Sequence, residues 1–478
     1  MKKIIIFLIP LAFLASCVDS LIEDGYNVDQ KSATIAPPET LFTNALKNLT
    51  DVLTTPNVNT NNFRLYIQHW ATTTYLQEPR YDLTSRTIPQ ALWQVLYRDV
   101  IADLKESRRL IEADMFLDAA ARNNQLAQIE IIEVYAWSVL VNAFGDVPYS
   151  EAFTYEIPLP KYDDAQTVYN NILARLDVAL IMIDASADGF GDGDLLYEGD
   201  MAQWVKFGNS VKLKLAMVIA DVDAATAGPM VAAAAPNVFS SNADNARFPY
   251  LSAPPNNNPL SANLNPLYSQ RQDYVMAGAL VDQMNSLNDP RRPFYFTSVG
   301  GIFKGGKYGF LNAYADFSHV SETIIDPELE ALLLDYSEVQ FLLAEAVERG
   351  FIAGTAATYY NNAVAASIEY WGGTPAEATA YLAESEVAYS SPQFKEKIGT
   401  QKWIALYNRG YDAWVEWKRL DYPALLPPSG GDVPAGLTIP VRLIYPINEQ
   451  TLNGASREAA SAAIGGDLAT TKVFWDIN

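Results

Sequence analysis

Residues 124–149 of this 478-residue chain have the sequence NQLAQIEIIEVYAWSVLVNAFGDVPY, and this stretch decides the fold. Its apolar residues recur at helical spacing, at Ile129, Ile132, Ala136, Val139, Leu140 and Ala143. This period predicts a helix from about 124 to 144. Gly145 is a typical C-terminal stop, and the predicted helix ends before Pro148.

Similar patterns predict further helices, several of them in pairs joined by short turns. They lie at about 40–54, 91–113, 164–184, 200–222, 335–349, 355–371, 376–387 and 393–418. The plainest pair is Tyr336–Arg349 and Thr355–Trp371, with the turn Gly350–Gly354 between them. Small residues such as Ala344 and Ala363 allow close helix approach, as in stacked tetratricopeptide-like repeats. No regular period of about 34 residues is present, so any repeat is degenerate.

The texture of the sequence changes between about 223 and 330, where Pro, Asn, Gly and aromatic residues dominate. This region is predicted to be a loop-rich lobe, and long loops in compact domains tend to be functional. A second such stretch, Pro427–Pro446, is compatible with a short edge strand. Its alternating residues are Leu437, Ile439, Val441, Leu443 and Tyr445.

The N-terminus has the features of a lipoprotein export signal. The apolar run Ile4–Ala15 follows two lysines and is too short to span a bilayer, which needs about 20 residues. Leu14–Cys17 matches the bacterial lipobox, whose cysteine is acylated after cleavage. We predict a signal peptide at 1–16 and lipidation at Cys17, followed by a flexible stalk over 17–38. An ordinary signal peptide that contains a cysteine is the alternative.

Composition and charge narrow the class of protein. Hydrophobic residues make up 49% of the chain and charged residues 19%, which excludes general disorder. The formal net charge is −23, and no block of Lys or Arg is present, so nucleic acid is not an expected partner. Cys17 is the only cysteine, so we expect no disulfide and no cysteine metal site. No cofactor is predicted.

Short strings along the chain resemble the SusD/RagB family of nutrient-binding outer-membrane lipoproteins, particularly its SusD-like branch. Phe144–Tyr149, with Glu151 and Ala152, looks like that family's Phe-Gly-Asp-Val-Pro-Tyr segment after a long helix. The other matching strings are Gly199-Asp200, Trp204 with Lys206-Phe207, Asn209-Ser210, Lys212-Leu213, Asn288–Arg291, Ala344–Ala346, Gln401–Trp403, Trp414 with Glu416, Arg442 with Tyr445-Pro446, Glu449, Asn453 and Val473–Asp476. Their order, together with the lipobox, makes the resemblance specific. Phe474 departs from the pattern, which has a second Trp there.

The resemblance implies a mainly α fold, in which a tetratricopeptide-like helical-hairpin scaffold carries an irregular loop-rich lobe and a few short strands. It implies a single domain over 39–478. Its parts are scaffold at about 39–222 and 331–420, the lobe at about 223–330, and an irregular C-terminal segment at 421–478. It also implies a lipid anchor in the outer membrane, facing the cell exterior. The implied partner is a SusC-like TonB-dependent outer-membrane barrel, to which such proteins hand glycans or peptides without cutting them.

Motifs for catalysis are scarce. The chain has two histidines, His69 and His319, and no Gly-x-Ser-x-Gly, His-Glu-x-x-His, P-loop or dinucleotide motif. A glycosidase needs only two carboxylates at a suitable separation, so a surface glycoside hydrolase stays open as an alternative. We expect a binding protein that is not an enzyme.

Sugar binding needs aromatic faces that stack on a pyranose ring, beside polar groups that bond its hydroxyls. The segment 69–93 offers this mixture, and Pro79 and Pro89 favour a loop that presents it. The predicted ligand-binding residues are Trp70, Tyr75, Arg80, Tyr81, Asp82 and Trp93. The alternative is that its aromatic residues pack in the core. Trp93 and Tyr97 have the spacing of a buried helix face.

A second candidate site lies in the loop-rich lobe. Its residues are Tyr268, Arg271, Tyr274, Tyr308 and Tyr314. The alternative is that these tyrosines fasten long loops to the scaffold.

A calcium site is a third possibility, at Asp192, Asp194 and Glu198 among closely spaced glycines. The spacing does not fit an EF-hand loop. We therefore predict no metal and expect a solvated turn between helices, with Asp200 near the next helix N-terminus.

The sequence favours a non-catalytic nutrient binder, most often of oligo- or polysaccharide. A peptide binder of the same architecture is the main alternative, because an acidic protein with many tyrosines can also hold extended peptides. A surface hydrolase and a structural adaptor without a ligand of its own are further alternatives.

Overall fold

The computed structural model of the protein describes residues 36–477. The predicted signal peptide, the lipidation site Cys17 and nearly all of the predicted stalk lie outside the described residues. Those expectations therefore stay predictions.

The fold is mainly helical with a few short strands, which confirms the predicted fold class. The α-helices are Pro38–Thr54, Phe63–Tyr66, Ile88–Gln94, Ala102–Ala113, Ala119–Phe144, Ala165–Met182, Met201–Val218, Ala224–Ala234, Pro259–Leu264, Gly278–Ser286, Arg292–Tyr295, Tyr336–Glu348, Ala356–Tyr370, Pro375–Leu382, Phe394–Ala405, Gly410–Leu420, Glu449–Leu452 and Gly454–Ala463. A π-helical turn, Val95–Ile101, joins two of them.

The central helix, Ala119–Phe144, forms the middle of the scaffold. Asp118 caps its first turn by accepting hydrogen bonds from two backbone N–H groups. Gly145 ends it with a φ of 79°, which glycine adopts at little cost. Every residue from Ile131 to Phe144 is buried. The helix is long and apolar enough to cross a membrane, but 94% of its apolar window lies inside the fold, so it is a core helix.

The end of the central helix is held by residues from far along the chain. The last carbonyl oxygens of a helix lack partners within it. Here the oxygens of residues 142–144 accept hydrogen bonds from Lys418 Nζ, Leu443 N and Arg442 Nε at 3.1, 2.8 and 2.7 Å. Trp475 Nε1 donates to the side chain of Asn142 at 2.9 Å. The C-terminal segment is thereby fastened to the scaffold.

Two expectations about local structure are wrong. The helix predicted at 393–418 is two helices, Phe394–Ala405 and Gly410–Leu420, because the chain breaks to bring Arg409 into buried ion pairs. Pro427–Pro446 forms no strand, since the N–H groups of Val441 and Leu443 bond the carbonyl oxygens of Ala469 and Ala143 instead of a neighbouring strand.

The loop-rich lobe contains short helices and strands as well as loops. Its strands form two antiparallel pairs: β1 (Trp70–Thr72) with β3 (Tyr274–Met276), and β2 (Ala246–Phe248) with β4 (Ala331–Leu334). Since β1 and β4 lie outside the range predicted for the lobe, both pairs tie it to neighbouring parts of the chain.

The turn before helix Arg292–Tyr295 fastens the lobe to the scaffold. Arg291 is fully buried and forms an ion pair with Asp289 at 2.5 Å. Its guanidinium also donates to Ser367 and to Gln401, both at 3.0 Å. These two residues lie on different helices, so one side chain joins three segments.

A buried ionic network crosses the scaffold. Its first part centres on Glu338, which accepts from Lys214 at 3.1 Å and from Arg409 at 2.6 Å. Asp412 is paired with the same two cations. All four side chains are buried, and they lie on or beside three different helices.

The second part of the network centres on Glu345. This carboxylate pairs with Arg419 and, at 2.7 Å, with Arg349. Arg419 also pairs with Glu416 at 2.6 Å, and Glu416 with Lys402 at 2.9 Å. Each carboxylate therefore has two cations, which is what makes burial of so many charges tolerable.

The protonation of Glu345 follows from this arrangement. Burial alone would raise its pKa, but Arg419 and Arg349 lower the pKa to about 2. A glutamate in an unfolded chain has a pKa of about 4.3. The carboxylate thus stabilises the fold above that pH, and the contribution is lost as the pH falls from about 4 towards 2.

We expect Glu345→Gln to lower the free energy of unfolding by about 3 kcal/mol at neutral pH, because Arg419 and Arg349 would be left buried without their carboxylate. Urea denaturation measures the change. The matched control is Glu369→Gln, an exposed carboxylate on Ala356–Tyr370, with an expected change within about 0.5 kcal/mol. The Glu345→Gln protein should also lose less stability than the wild type between pH 5 and pH 3. It has no carboxylate at this position to protonate, whereas an unfolded glutamate titrates near about 4.3. Equal acid sensitivity of the two proteins would contradict this role.

Candidate ligand-binding surface

The two segments that the sequence offers as separate candidate sites lie side by side. β1 pairs with β3 in the register Trp70↔Met276 and Thr72↔Tyr274. Asn312 Nδ2 donates to the carbonyl oxygen of Thr72 at 3.0 Å, which draws in the following loop of the lobe. The structure therefore brings residues of both segments to one surface.

This surface has its own small apolar base, separate from the main core. The base consists of Ala71, Val275, Ala277 and Tyr308. Three partly buried aromatic rings pack against it, those of Tyr81, Tyr314 and Phe317. Phe310 lies beside them, also partly exposed. We call the rings of Tyr81, Phe310, Tyr314 and Phe317 the aromatic platform.

Arg80 joins the platform to a third segment. Its Nε donates to the carbonyl oxygen of Gly309 at 3.0 Å, and its Nη2 pairs with Asp432 at 2.8 Å. Its guanidinium carbon lies 6.0 Å from the centroid of the Phe310 ring. The hydrogen bond from Arg80 lowers the pKa of Asp432. At neutral pH the surface thus presents a fixed cation and a carboxylate beside the rings.

Glycine permits the close approach of the segments that meet here. Gly309 has a φ of 77°, and a Cβ at this position would lie 2.3 Å from Cβ of Pro428. A larger residue would push the loop of Phe310 away from the loop that carries Asp432.

Tyr81 is held rigidly within the platform. Its φ of 65° places it in the left-handed region at the end of a short helical turn. Its ring lies 6.3 Å from that of Tyr308 and 6.3 Å from that of Tyr66. Burial raises the pKa of Tyr81 to about 12, so the phenol is neutral at physiological pH.

Trp70, Trp93 and Tyr274 are core residues in this structure, and for them the geometry favours the packing alternative. Trp70 is 1% exposed, its ring centroid lies 4.9 Å from that of Tyr274, and it donates its indole N–H to the hydroxyl of Tyr407 at 3.3 Å. Trp93 is 8% exposed and contacts Phe144. The ligand-binding role predicted for these three side chains is not compatible with their burial here, because β1, β3 and the central helix cover them.

Tyr75 and Asp82 shape the loop that carries Tyr81. The guanidinium of Arg86 lies 4.5 Å from the centroid of the Tyr75 ring. Asp82 accepts hydrogen bonds from the backbone N–H groups of Thr84 and Ser85. Partial burial opposes the effect, but these bonds lower the pKa of Asp82 to about 2.

Tyr268 and Arg271 have contacts within the lobe. The hydroxyl of Tyr268 donates to the carbonyl oxygen of Ser252 at 2.9 Å, and 38% of the residue is exposed. Arg271 pairs with Asp273 at 2.9 Å. These contacts fit the alternative in which such side chains hold long loops in place.

Several residues of the surface were absent from the sequence-based candidates. Phe310, Lys304 and Lys307 lie around the glycines of the lobe, and Asp432 follows Gly430-Gly431. His319 stacks on Tyr314 with ring centroids 4.1 Å apart and planes 3° apart. The paired glycines were the available signal, since they mark loops that pass close to other backbone.

The predicted calcium candidates do not converge on a metal site. Asp194 is buried and accepts from Trp204 Nε1 and from Gln128 Nε2. Asp200 caps the helix Met201–Val218, as expected. Within residues 36–477 no cluster of three or more metal-ligating side chains is suitable for an ion. The segment is a turn between helices, although Asp194 is buried rather than solvated.

The histidines have structural contacts. Burial lowers the pKa of His69 to about 3, and its ring nitrogens lie 3.1 and 3.0 Å from the carbonyl oxygens of Tyr407 and Trp403. His319 Nδ1 lies 2.9 Å from the hydroxyl of Thr297. Within the described residues neither histidine has a carboxylate among its hydrogen-bond partners, so neither has the orienting group of a catalytic triad.

The rings of the aromatic platform are partly exposed, and the platform does not line either of two large cavities of the molecule. Cavities of about 630 and 530 Å³ lie elsewhere, the first beside Gln401 and Tyr422 and the second beside Arg292 and Tyr381. Enclosed pockets suit small ligands that are mostly buried when bound. A group of partly exposed rings with polar groups beside it, such as the aromatic platform, suits one stretch of an extended polymer.

A helical-hairpin scaffold that carries such a surface on a loop-rich lobe defines a class of binding proteins. The family model for SusD-like proteins, described as starch-binding and associating with the outer membrane, matches residues 29–446. The chain belongs to this SusD-like family, whose members bind ligands without catalysis. It is accordingly a glycan-binding protein associated with the outer membrane, and not an enzyme.

Solved structures support this assignment. One described as a chitin-binding protein is 30% identical, with a TM-score of 0.81, and the match covers 92% of this chain and 100% of that one. A SusD homologue from Bacteroides uniformis is 27% identical, with a TM-score of 0.75 and coverages of 92% and 99%. A chitin-binding SusD homologue from Flavobacterium johnsoniae, 23% identical, shares the fold with a TM-score of 0.78 and coverages of 91% and 99%. The comparison with curated proteins gives no match.

The burial of Trp70 generates a test that separates packing from binding. We expect Trp70→Ala to lower the free energy of unfolding by about 4 kcal/mol, because the indole is fully buried and hydrogen-bonded. Tyr314→Ala, which removes a partly exposed ring, is expected to cost about 1 kcal/mol. Guanidinium denaturation measures both. A Trp70→Ala protein as stable as Tyr314→Ala would mean that the indole is not a core side chain.

Proposed function

We propose that the protein captures oligo- or polysaccharide on the aromatic platform and passes it to a SusC-like TonB-dependent outer-membrane transporter. The observation that carries the proposal is the aromatic platform itself, a group of partly exposed rings beside Arg80 and Asp432 on an apolar base separate from the main core. The 30% identical structure of a chitin-binding protein supports a glycan as the ligand.

Each part of the platform has a defined task in this proposal. The faces of Tyr81, Phe310 and Tyr314 that Lys307 and His319 do not cover stack on the apolar faces of successive sugar rings. Arg80 and Asp432 exchange hydrogen bonds with sugar hydroxyls, Arg80 as donor and the carboxylate as acceptor. Because the base fixes the rings before a ligand arrives, little side-chain freedom is lost on binding.

The uptake role rests on the family resemblance and on the match to a family described as associating with the outer membrane. We propose that Cys17 is the lipid anchor and that the protein faces the cell exterior above the barrel. A tether of several acyl chains is durable, because one chain alone gives only marginal membrane binding.

Removal of two platform rings tests the site. We expect Phe310→Ala with Tyr314→Ala to weaken polysaccharide binding by about tenfold or more, at roughly 1 kcal/mol for each ring. Isothermal titration with chitin oligosaccharides, starch and β-glucans measures the affinity. Tyr155→Ala is the control, since Tyr155 is an exposed aromatic residue outside the platform.

Unchanged affinity in the double variant would show that the platform is not the site. Binding of a peptide mixture with no polysaccharide bound would support the peptide alternative instead. Release of shorter sugars from a bound polysaccharide would contradict a purely binding role.

The anchor has its own test. We expect Cys17→Ala to move the protein from the membrane fraction to the soluble fraction, with polysaccharide affinity unchanged, because residue 17 precedes in sequence the described residues 36–477 that carry the platform. Fractionation and titration measure the two properties. Affinity purification of the wild type from solubilised membranes should recover a TonB-dependent barrel. A Cys17→Ala protein that stays in the membrane fraction would exclude the lipid anchor.

A further inference from the structure

The distribution of unpaired cations singles out the aromatic platform. The chain has a net charge of −23, and within residues 36–477 most of the exposed Lys and Arg side chains are paired with carboxylates. Among the exposed Lys and Arg side chains of residues 36–477, only Lys304 and Lys307 have neither an ion pair nor a hydrogen bond from the charged group. Both of them belong to the platform.

The two lysines lie over platform rings. Lys307 Nζ is 3.6 Å from the centroid of Phe310, and Lys304 Nζ is 4.8 Å from the centroid of Phe317. The negative face of an aromatic ring attracts an ammonium group and limits where it lies. Such contacts leave the N–H bonds of both ammonium groups free for a ligand.

A third cation, Arg80, shares a platform ring with Lys307, although it is itself paired with Asp432. The guanidinium carbon of Arg80 lies 6.0 Å from the same Phe310 ring that Lys307 covers, so these two charges are neighbours. Like charges repel, and the arrangement lacks a compensating carboxylate on either lysine within the described chain. Proteins tolerate such clusters where a ligand supplies the missing charge.

The acidic and titratable groups nearby do not cancel the cluster. Asp432 is already paired with Arg80. Asp316 is exposed, beside Phe317, and forms no ion pair with the lysines. Burial lowers the pKa of His319, so this ring is neutral at pH 7 and adds no charge. The rim of the platform therefore presents two ammonium groups without carboxylate partners, although the protein as a whole is strongly acidic.

We infer that the ligand of the aromatic platform is an anionic polysaccharide, one whose sugars carry carboxylate or sulfate groups that Lys304 and Lys307 bind. The inference rests on the proposed function and narrows its substrate class. The rings hold the sugar faces while the lysines bind the charged substituents. A polyanion approaching a chain of net charge −23 needs such a local positive field, because the rest of the surface repels it.

A comparison with a protein whose ligand is named sharpens the point. Chitin, which the 30% identical structure is described as binding, is a polymer of uncharged N-acetylated sugars. An uncharged ligand would leave the two ammonium groups without partners. The inference therefore separates this chain from that protein in ligand charge while keeping the mode of stacking.

Matched pairs of polymers test the inference. The probes are polygalacturonate against its methyl ester, and dextran sulfate against dextran, titrated into the full chain. We expect at least one of the two charged polymers to bind about tenfold more tightly than its uncharged partner. This preference should fall as the salt concentration rises from about 50 to 200 mM, because salt screens exposed charges. Lys304→Gln with Lys307→Gln should remove most of the preference. Lys161→Gln, an exposed lysine outside the platform, should leave it unchanged.

Each other outcome overturns the inference in a recognisable way. If dextran, methyl-esterified polymer or chitin oligosaccharides bind as tightly as the charged polymers, the proposed function stands and the anionic ligand is wrong. If the double lysine variant still prefers the charged polymer, Lys304 and Lys307 do not bind its charged groups. If no polysaccharide binds, charged or uncharged, the proposed function itself fails. Circular dichroism of the variants confirms that they are folded in each case.

Discussion

The buried ionic network of the scaffold is the constraint on which the rest of the structure depends. Glu338 and Glu345 are both inside the helix Tyr336–Glu348; Glu338 pairs with two cations from other segments, and Glu345 pairs with Arg419 of another helix and with Arg349 at the end of its own. A charge taken out of water is costly unless opposite charges surround it, so these helices fit together in only one arrangement. Apolar contacts alone would allow helices to slide or rotate, whereas the network fixes their register.

The loop-rich lobe takes its position from that fixed scaffold. Arg291 bonds to two scaffold helices, and the strand pair β1–β3 joins the lobe to the segment before Tyr81. The aromatic platform is built on a small apolar base at this junction. The scaffold and the platform therefore have different roles. The buried scaffold stabilises the fold, and the platform presents partly exposed rings and charged groups that can contact a polymer.

The strings that carry the family resemblance turn out to be mostly structural. Arg291 fastens the lobe, Lys402 and Glu345 belong to the ionic network, and Arg442 and Trp475 hold the end of the central helix. These polar groups are buried, and a buried charge or indole N–H requires specific partners. This is why short strings identify the fold from sequence, and why the same strings say little about the ligand.

Sequence by itself determined the helical scaffold and the family, because a helix depends on a short period of apolar residues and on local stops such as Gly145. Its errors were also local in origin: the alternation in Pro427–Pro446 looks like a strand but its backbone bonds a helix end. Only the tertiary structure decided which aromatic residues face solvent. Trp70 and Tyr81 are similar candidates in sequence, yet contacts with Tyr407 and the strand β3 bury the first and leave the second at the surface. The pairing of Arg80 with Asp432 spans 352 positions. The exposure and the charge of a site depend on contacts between segments that are far apart in sequence. A local sequence pattern does not contain these contacts.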